Sequence, residues 1–208
     1  GFQNASFAWD ANSSSDFKLR DLDIEFKQTK LNIIIGATGS GKTSLLLALL
    51  GEMEKIKGKV FLPGAANARS ALIPDPKTGL TDSVAYCAQA AWLLNDSIKN
   101  NILFAAPYNA KRYKAVVAAC GLSRDFEILE YGDATEVGEK GITLSGGQKQ
   151  RVSLARALYS SSKTVLLDDC LSAVDSHTAL WVYENCITGK LMENRTCLLV
   201  THNVALSV

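Results

Sequence analysis

The sequence is poor in several features that would send a chain elsewhere. Its 208 residues hold only 4 prolines, 2 methionines and 2 histidines. Neither sign of charge dominates: 22 Lys and Arg against 21 Asp and Glu leave a net charge of +1. The basic surplus of a nucleic-acid-gripping chain is therefore missing, apart from any local patch, and no nucleic-acid partner is expected. The five cysteines, Cys87, Cys120, Cys170, Cys186 and Cys197, are odd in number and contain no C-x-x-C pair. A disulfide framework or zinc site is not expected, and a reducing compartment fits best. The longest apolar run, Leu45 to Gly51, falls far short of the ~18 residues of a membrane helix. No secretory leader is expected from its opening residues. The chain is expected not to cross a membrane itself. Starting at Gly1 without methionine and stopping at Val208, it is expected to be an excised piece.

What is present is core-forming material. Hydrophobic residues make up 47% of the chain, enough for one domain or two closely packed lobes and too many for disorder. Gly1 to Trp9, Phe17 to Phe26, Leu31 to Ile35, Lys59 to Leu62, Ser83 to Ala88, Val165 to Leu167 and Thr196 to Val200 read as strands. Thr43 to Leu50, Asp96 to Leu103, Ala110 to Cys120, Ser145 to Tyr159 and Ser176 to Cys186 read as helices. Ser145 with Gln148 forms a capping-box pattern. The alternation predicts a mostly parallel sheet with helices on both faces. Residues 63–82, with Pro63, Gly64, Pro74, Pro76 and Gly79, show no period and read as a surface insertion, functional or mobile. Ser70 and Thr78 within it are candidate phosphorylation positions only on polarity.

The strongest motif is Gly36-Ala37-Thr38-Gly39-Ser40-Gly41-Lys42-Thr43, followed by Ser44. It matches the phosphate-loop pattern G-x-x-x-x-G-K-[ST] between a strand and a helix. Glycines let backbone amides turn inward around a polyphosphate, and the helix adds its free N–H groups and positive dipole end. Lys42 supplies a charge for the terminal phosphates, and the Thr43 hydroxyl a ligand for Mg²⁺. A second motif, Val165-Leu166-Leu167-Asp168-Asp169, ends an aliphatic strand in two carboxylates. With a phosphate loop upstream, Asp168 reads as the acidic partner of Mg²⁺ and Asp169 as the residue that decides hydrolysis. The third, Leu144-Ser145-Gly146-Gly147-Gln148, is a capped helix start or a second anion cradle.

The order of these motifs, with Gln89 after the phosphate loop and Ser172-Ala173-Val174-Asp175 and His202 after the Asp168 strand, resembles the nucleotide-binding domain of ABC transporters over nearly the whole chain. Asn4-Ala5-Ser6-Phe7-Ala8-Trp9, Gln89-Ala90-Ala91-Trp92 with Asn95-Asp96-Ser97, and Gly138-Glu139-Lys140-Gly141 before LSGGQKQR resemble the first such domain of the multidrug-resistance-associated C subfamily. The insertion after Val60 and the Asp-Asp-Cys run resemble its fungal vacuolar, bile-acid-transporter type.

The resemblance implies a single α/β domain over 1–208: a P-loop NTPase, RecA-like core with an antiparallel β subdomain and a helical subdomain near 90–160. It implies ATP and Mg²⁺ as cofactors, with Thr43, Gln89 and Asp168 around the metal. Two such domains close head to tail, so that Ser145, Gly146, Gly147 and Gln148 meet the nucleotide on the partner's phosphate loop. Trp9 corresponds to the aromatic stacked on adenine, with Phe7 as fallback. Gln89 corresponds to a contact with metal and attacking water, His202 to a γ-phosphate sensor, and Asp175 to the loop crossing the dimer interface. His177 reads as an ordinary surface residue. Family ATPases of full activity carry Glu where this chain has Asp169, so its own site is expected to be slow. Trp92, Leu93 and Leu94 are either core or a contact with membrane domains. The expected partners are a second nucleotide-binding domain and membrane-spanning domains of the same full-length chain, placing this one on the cytosolic face of a membrane, the vacuolar membrane being one candidate. A soluble ABC ATPase and a non-catalytic ATP-binding module are the alternatives, and the transported solute is not legible.

Overall fold

The computed structural model describes residues 1–10, 18–62, 73–138 and 143–202. Strands β3 (Leu31–Ile35), β5 (Thr81–Cys87), β8 (Ser162–Asp168) and β9 (Thr196–Thr201) form a parallel sheet in the order β3-β9-β8-β5. Strands β1 (Phe2–Ala8), β2 (Lys18–Ile24) and β4 (Glu54–Val60) form an antiparallel sheet in the order β2-β1-β4. Helices α1 (Lys42–Leu50), α2 (Ile98–Leu103), α3 (Ala110–Ala119), α4 (Ser123–Ile128), α5 (Gly146–Tyr159) and α6 (Ser176–Val182) connect them, with a two-residue ladder between β6 (Asp96–Ser97) and β7 (Glu136–Val137). Mixed α/β architecture with a parallel sheet is what the sequence predicts.

The strand period of two splits the central sheet between two cores. On β8 and β9, Val165, Leu167, Cys197 and Leu199 face one core, shared with α3, α5 and α6. Leu166, Leu198 and Val200 face the other, where α1 contributes Leu46, Ala48 and Leu49 and β1 contributes Phe2, Ala5 and Phe7. Helix α1 is thus clamped between the two sheets, which fixes the loop at its N-terminus. The five cysteines are buried free thiols. Among the described residues no helix is long and apolar enough to cross a membrane.

Several sequence readings shift. The strand expected at Lys59 to Leu62 runs instead from Glu54 to Val60, because its backbone pairs with β1 although nearly every side chain on it is exposed. Asp96 and Ser97 are ladder residues rather than helix, since Ser97 caps α2 by accepting from Asn100 N at 3.1 Å. Helix α4 was not expected. The α6 segment ends as α-helix at Val182 and continues as a π turn over Tyr183–Ile187. The 63–82 insertion is shorter than its pattern suggests, because β5 begins at Thr81. Asp75 Oδ1 accepts from Lys77 N and Thr78 N, and Gly79 N donates to Asp75 O, closing a turn before it. Ser70, Pro63, Gly64 and the Glu139-Lys140-Gly141 stretch lie outside the described residues.

Candidate functional site

The Gly36–Thr43 loop joins β3 to α1, as its pattern requires. Gly39 (φ 80°) and Gly41 (φ 89°) take left-handed backbone that a side chain would strain. A Cβ on Gly36 would lie 2.9 Å from Ser40 Oγ. Lys42 folds back over the loop, its Nζ donating to Gly36 O and Ala37 O at 2.8 Å each. These are carbonyl acceptors that an anion would replace as the lysine's partner.

At the C-terminal end of β8, Asp168 is buried, 1% exposed, yet each oxygen has a hydroxyl donor. Thr43 Oγ1 donates to Oδ1 at 3.1 Å and Tyr86 Oη to Oδ2 at 3.2 Å. Burial pushes its carboxyl above the ordinary carboxylate range, against the opposing pull of those two hydroxyls. Burial and the Asp168 charge push the Tyr86 phenol upward, so it stays a donor. Asp169 follows with φ 47°, a left-handed conformation that Asp tolerates better than most residues. Its carboxylate faces His202 Nδ1 at 2.9 and 3.1 Å and accepts from Gln89 Nε2 at 3.3 Å. Residues from the ends of β5, β8 and β9 therefore meet beside the loop.

They line one cavity of about 310 Å³. Thr38, Gly39, Gly41, Lys42, Thr43 and Ser44 form its loop side; Gln89, Asp168, Asp169, Val200 and His202 form its sheet side; Trp9 stands at its edge. Trp9 is 47% exposed just past the end of β1, whereas Phe7 is 1% exposed and packs edge-on to Phe2. Phe7 is thus core and no substitute for Trp9: the strand's bulges and its end at Ala8 break the alternation that would have put both on one face.

The oxygen donors Thr43, Asp168 and Gln89 suit a hard cation such as Mg²⁺, which needs only one or two protein oxygens when phosphates and water complete its shell. Among the described residues no group of three or more His, Cys, Asp and Glu side chains gathers as an all-protein metal cage.

Ser145, Gly146, Gly147, Gln148 and Asp175 do not line this cavity. Ser145 caps α5 in a full capping box: Gln148 N donates to Ser145 Oγ at 3.2 Å, and Ser145 N donates to Gln148 Oε1 at 2.9 Å. A Cβ on Gly147 would lie 3.0 Å from Ala173 O, so this helix start packs on the turn after Asp169. Asp175 caps α6 by accepting from Thr178 N at 3.0 Å. Trp92 is 50% exposed and hence not core. The Arg156 guanidinium stacks over it at 4.1 Å and over Phe104 at 5.0 Å, with exposed Leu94 following Trp92 in the chain. Tyr86 and Val200 are site residues that the motifs do not reveal; only the parallel pairing of β5 with β8 brings Tyr86 beside Leu166, within reach of Asp168.

The chain matches the sequence profile described as ABC transporter over residues 19–172. It is 69% identical over its whole length to the ATP-dependent bile acid permease of Saccharomyces cerevisiae, of which it spans 12%. It is 62% identical over its whole length to a pleiotropic ABC efflux transporter of multiple drugs from Candida glabrata, again spanning 12% of that protein. It is 63% identical to a second Saccharomyces cerevisiae protein, an ABC transporter ATP-binding protein/permease, of which it spans 13%. The chain belongs to the ABC transporter family, as a nucleotide-binding domain of the fungal C-subfamily type.

Proposed function

We propose that this chain is the ATP-driven motor domain of an exporter, acting from the cytosolic face of a membrane, with the vacuolar membrane as the candidate. The observation that carries the reading is the convergence of Lys42, Thr43, Asp168, Asp169, Gln89 and His202 on one cavity. ATP lies on the phosphate loop, its adenine against Trp9. Lys42 exchanges the carbonyls of Gly36 and Ala37 for phosphate oxygens, and Gly39 and Gly41 present backbone amides to the same charge. Thr43, Asp168 and the Gln89 carbonyl would hold Mg²⁺, which when bound would offset charge on the phosphates. Gln89 and Asp169 orient the attacking water; Asp169 receives its proton while His202 fixes the carboxylate. Water adds to the terminal phosphorus, the bridging oxygen leaves with ADP, and phosphate is freed.

Ser145, Gly146 and Gly147, which do not line this cavity, serve the nucleotide of a second nucleotide-binding domain joined head to tail, with Asp175 at the seam. The segment carrying α2 to α5 acts as the helical subdomain. The exposed Trp92, Phe104 and Leu94 patch, held by Arg156, receives the membrane-spanning domains of the full-length protein. Asp169 is one methylene shorter than the Glu of fast family members, so the site built on this loop retains ATP and turns over slowly, and the partner's site runs faster. The cargo follows the names of the relatives: organic anions of the bile-acid kind. Asp169 also favours one second reading, an ATP-retaining module that regulates without hydrolysing.

The test uses membrane vesicles carrying the full-length protein. Lys42→Ala should remove photolabelling of this loop by 8-azido-ATP. Gly146→Asp should stop steady ATP hydrolysis and bile-acid uptake while leaving that label. Uptake and hydrolysis indifferent to both changes would sink the motor reading; label that persists without any turnover at this site supports the regulatory one.

A further inference from the structure

The start of α5 is held by more than its own cap. Gln148 closes the capping box through Oε1, and its remaining donor, Nε2, reaches across to Asp125 Oδ1 at 2.9 Å. Asp125 lies on α4, the helix whose sequence gives no periodic signal. Its second oxygen, Oδ2, accepts from Arg151 Nη1, and Oδ1 accepts from Arg151 Nη2 at 3.3 Å. Arg151 sits three residues after Gln148 on α5, so the two reach one carboxylate from the same helix face. The same Nη1 donates to Gly121 O at the end of α3. Both charged side chains are largely buried, 13% and 15% exposed.

This arrangement does two things for the cradle. It fixes both ends of the Gln148 amide, and with them the acceptor that holds the Ser145 backbone N–H, while the Ser145 hydroxyl is held by the Gln148 backbone N. It also cancels charge: a lone carboxylate one side chain from an anion cradle would repel the anion, and Arg151 neutralises it. A buried pair satisfied on every carboxylate oxygen holds a single geometry, because breaking it leaves an uncompensated charge.

The geometry points to Asp125 as a positioning residue for the Ser145–Gln148 cradle, acting through Gln148, with Arg151 as its counter-charge. The inference rests on the reading that this cradle meets the partner domain's nucleotide. Its effect is exerted on the other composite site, not on the cavity of this chain's own phosphate loop.

The experiment is a double-mutant cycle in the full-length protein in membrane vesicles: Asp125→Ala, Gln148→Ala and both together, with Asp125→Asn as a variant that keeps shape and an acceptor. The readouts are kcat and KM for MgATP, and 8-azido-ATP labelling resolved between the two phosphate loops after limited proteolysis. Gln148→Ala and Asp125→Ala should each lower kcat about tenfold or more, the scale expected when a group contacting the reacting centre moves by a fraction of an ångström to 1 Å. The double variant should be no slower than Gln148→Ala alone, and labelling of this chain's own loop should stay within twofold of the parent. Asp125→Asn should fall between parent and Asp125→Ala, and it decides the matter if the alanine variant does not accumulate. If Gln148→Ala slows hydrolysis and neither Asp125 variant does, the positioning role is wrong and the cradle reading stands. If Gln148→Ala changes nothing, the cradle reading fails and takes the inference with it. If the two losses add, or labelling of this chain's own loop falls in step, Asp125 is a structural stitch and the inference is overturned.

Discussion

Asp169→Glu is the substitution with the most to say about this site. In the resting geometry the Asp169 carboxylate lies 2.9 Å from His202 Nδ1 and 3.3 Å from Gln89 Nε2. It is therefore held by the side chains around it. One added methylene carries the carboxylate outward by more than 1 Å. A displacement of about 1 Å can change a rate by roughly 100-fold, equivalent to about 2.7 kcal/mol of barrier. Against this stands the backbone. Asp169 has φ 47°, and a longer side chain lacks the local hydrogen bonding that lets Asp occupy that region, a penalty on the order of 1 kcal/mol. The penalty falls on folding stability more than on the barrier, since the backbone there is tied by Asp169 N to Val200 O at 2.9 Å before and during reaction. The net expectation is hydrolysis on this loop faster by about 10- to 100-fold, with a small loss of thermal stability. Single-turnover hydrolysis of ATP trapped on this loop in the full-length protein measures it. A rate within twofold of the parent would refute the reasoning, because carboxylate reach would then not be what limits this site.

Four further outcomes follow from named contacts. Tyr86→Phe removes one of the two hydroxyls that hold Asp168; a hydrogen bond to a carboxylate of about 1.5 kcal/mol predicts roughly ten-fold more Mg²⁺ for half-maximal hydrolysis, read from a Mg²⁺ titration at fixed ATP. Asp168→Asn should stabilise the chain at pH 7. Burial raises this carboxyl above its ordinary 3.8, so the folded state binds the proton more tightly, and the destabilisation by its charge is fully present above the folded value and gone below 3.8. The gain in urea midpoint at pH 7 should therefore vanish near pH 3; a gain independent of pH would assign it to packing instead. Arg195→Met should cost no more than about 1 kcal/mol in chemical denaturation: the buried guanidinium donates to Leu158 O and to Ser160 O at 2.7 Å, where α5 ends, but Arg112 Nη2 donates to the same two carbonyls and keeps them paired. Trp92→Ala should leave nucleotide labelling intact and cut uptake in vesicles, since Trp92 is exposed and does not line the cavity.

What could be read beforehand was whatever chemistry forces into a contiguous stretch. A phosphate loop needs its glycines, lysine and threonine within eight residues between strand and helix, and Gly36 to Thr43 lies where that demands. Asp168 and Asp169 are legible for the same reason, at the end of a strand whose aliphatic run marks it as buried. The structure is less legible where pairing, not pattern, makes an element. The β4 residues Glu54 to Lys59 are all exposed, so no apolar alternation marks them, and only hydrogen bonding to β1 makes them a strand. Helix α4 has no fully buried residue; Phe126 packs at the edge of the core and Arg151 reaches from α5 to Asp125. Tyr86 is an ordinary strand aromatic until β5 is laid in register beside β8. The same distinction separates the two halves of the proposed machine. The cavity on the phosphate loop is lined within one chain, and apart from Val200 its lining comes from residues the sequence patterns single out. The Ser145 cradle is a motif too, yet its aim is set by Asp125, 23 residues before Gln148 in the sequence. A carboxylate there carries no signature of its own, because its role depends on a guanidinium and an amide that only the folded α5 presents together. A substitution at Asp125 would thus look harmless in the sequence and act on a nucleotide bound to another domain.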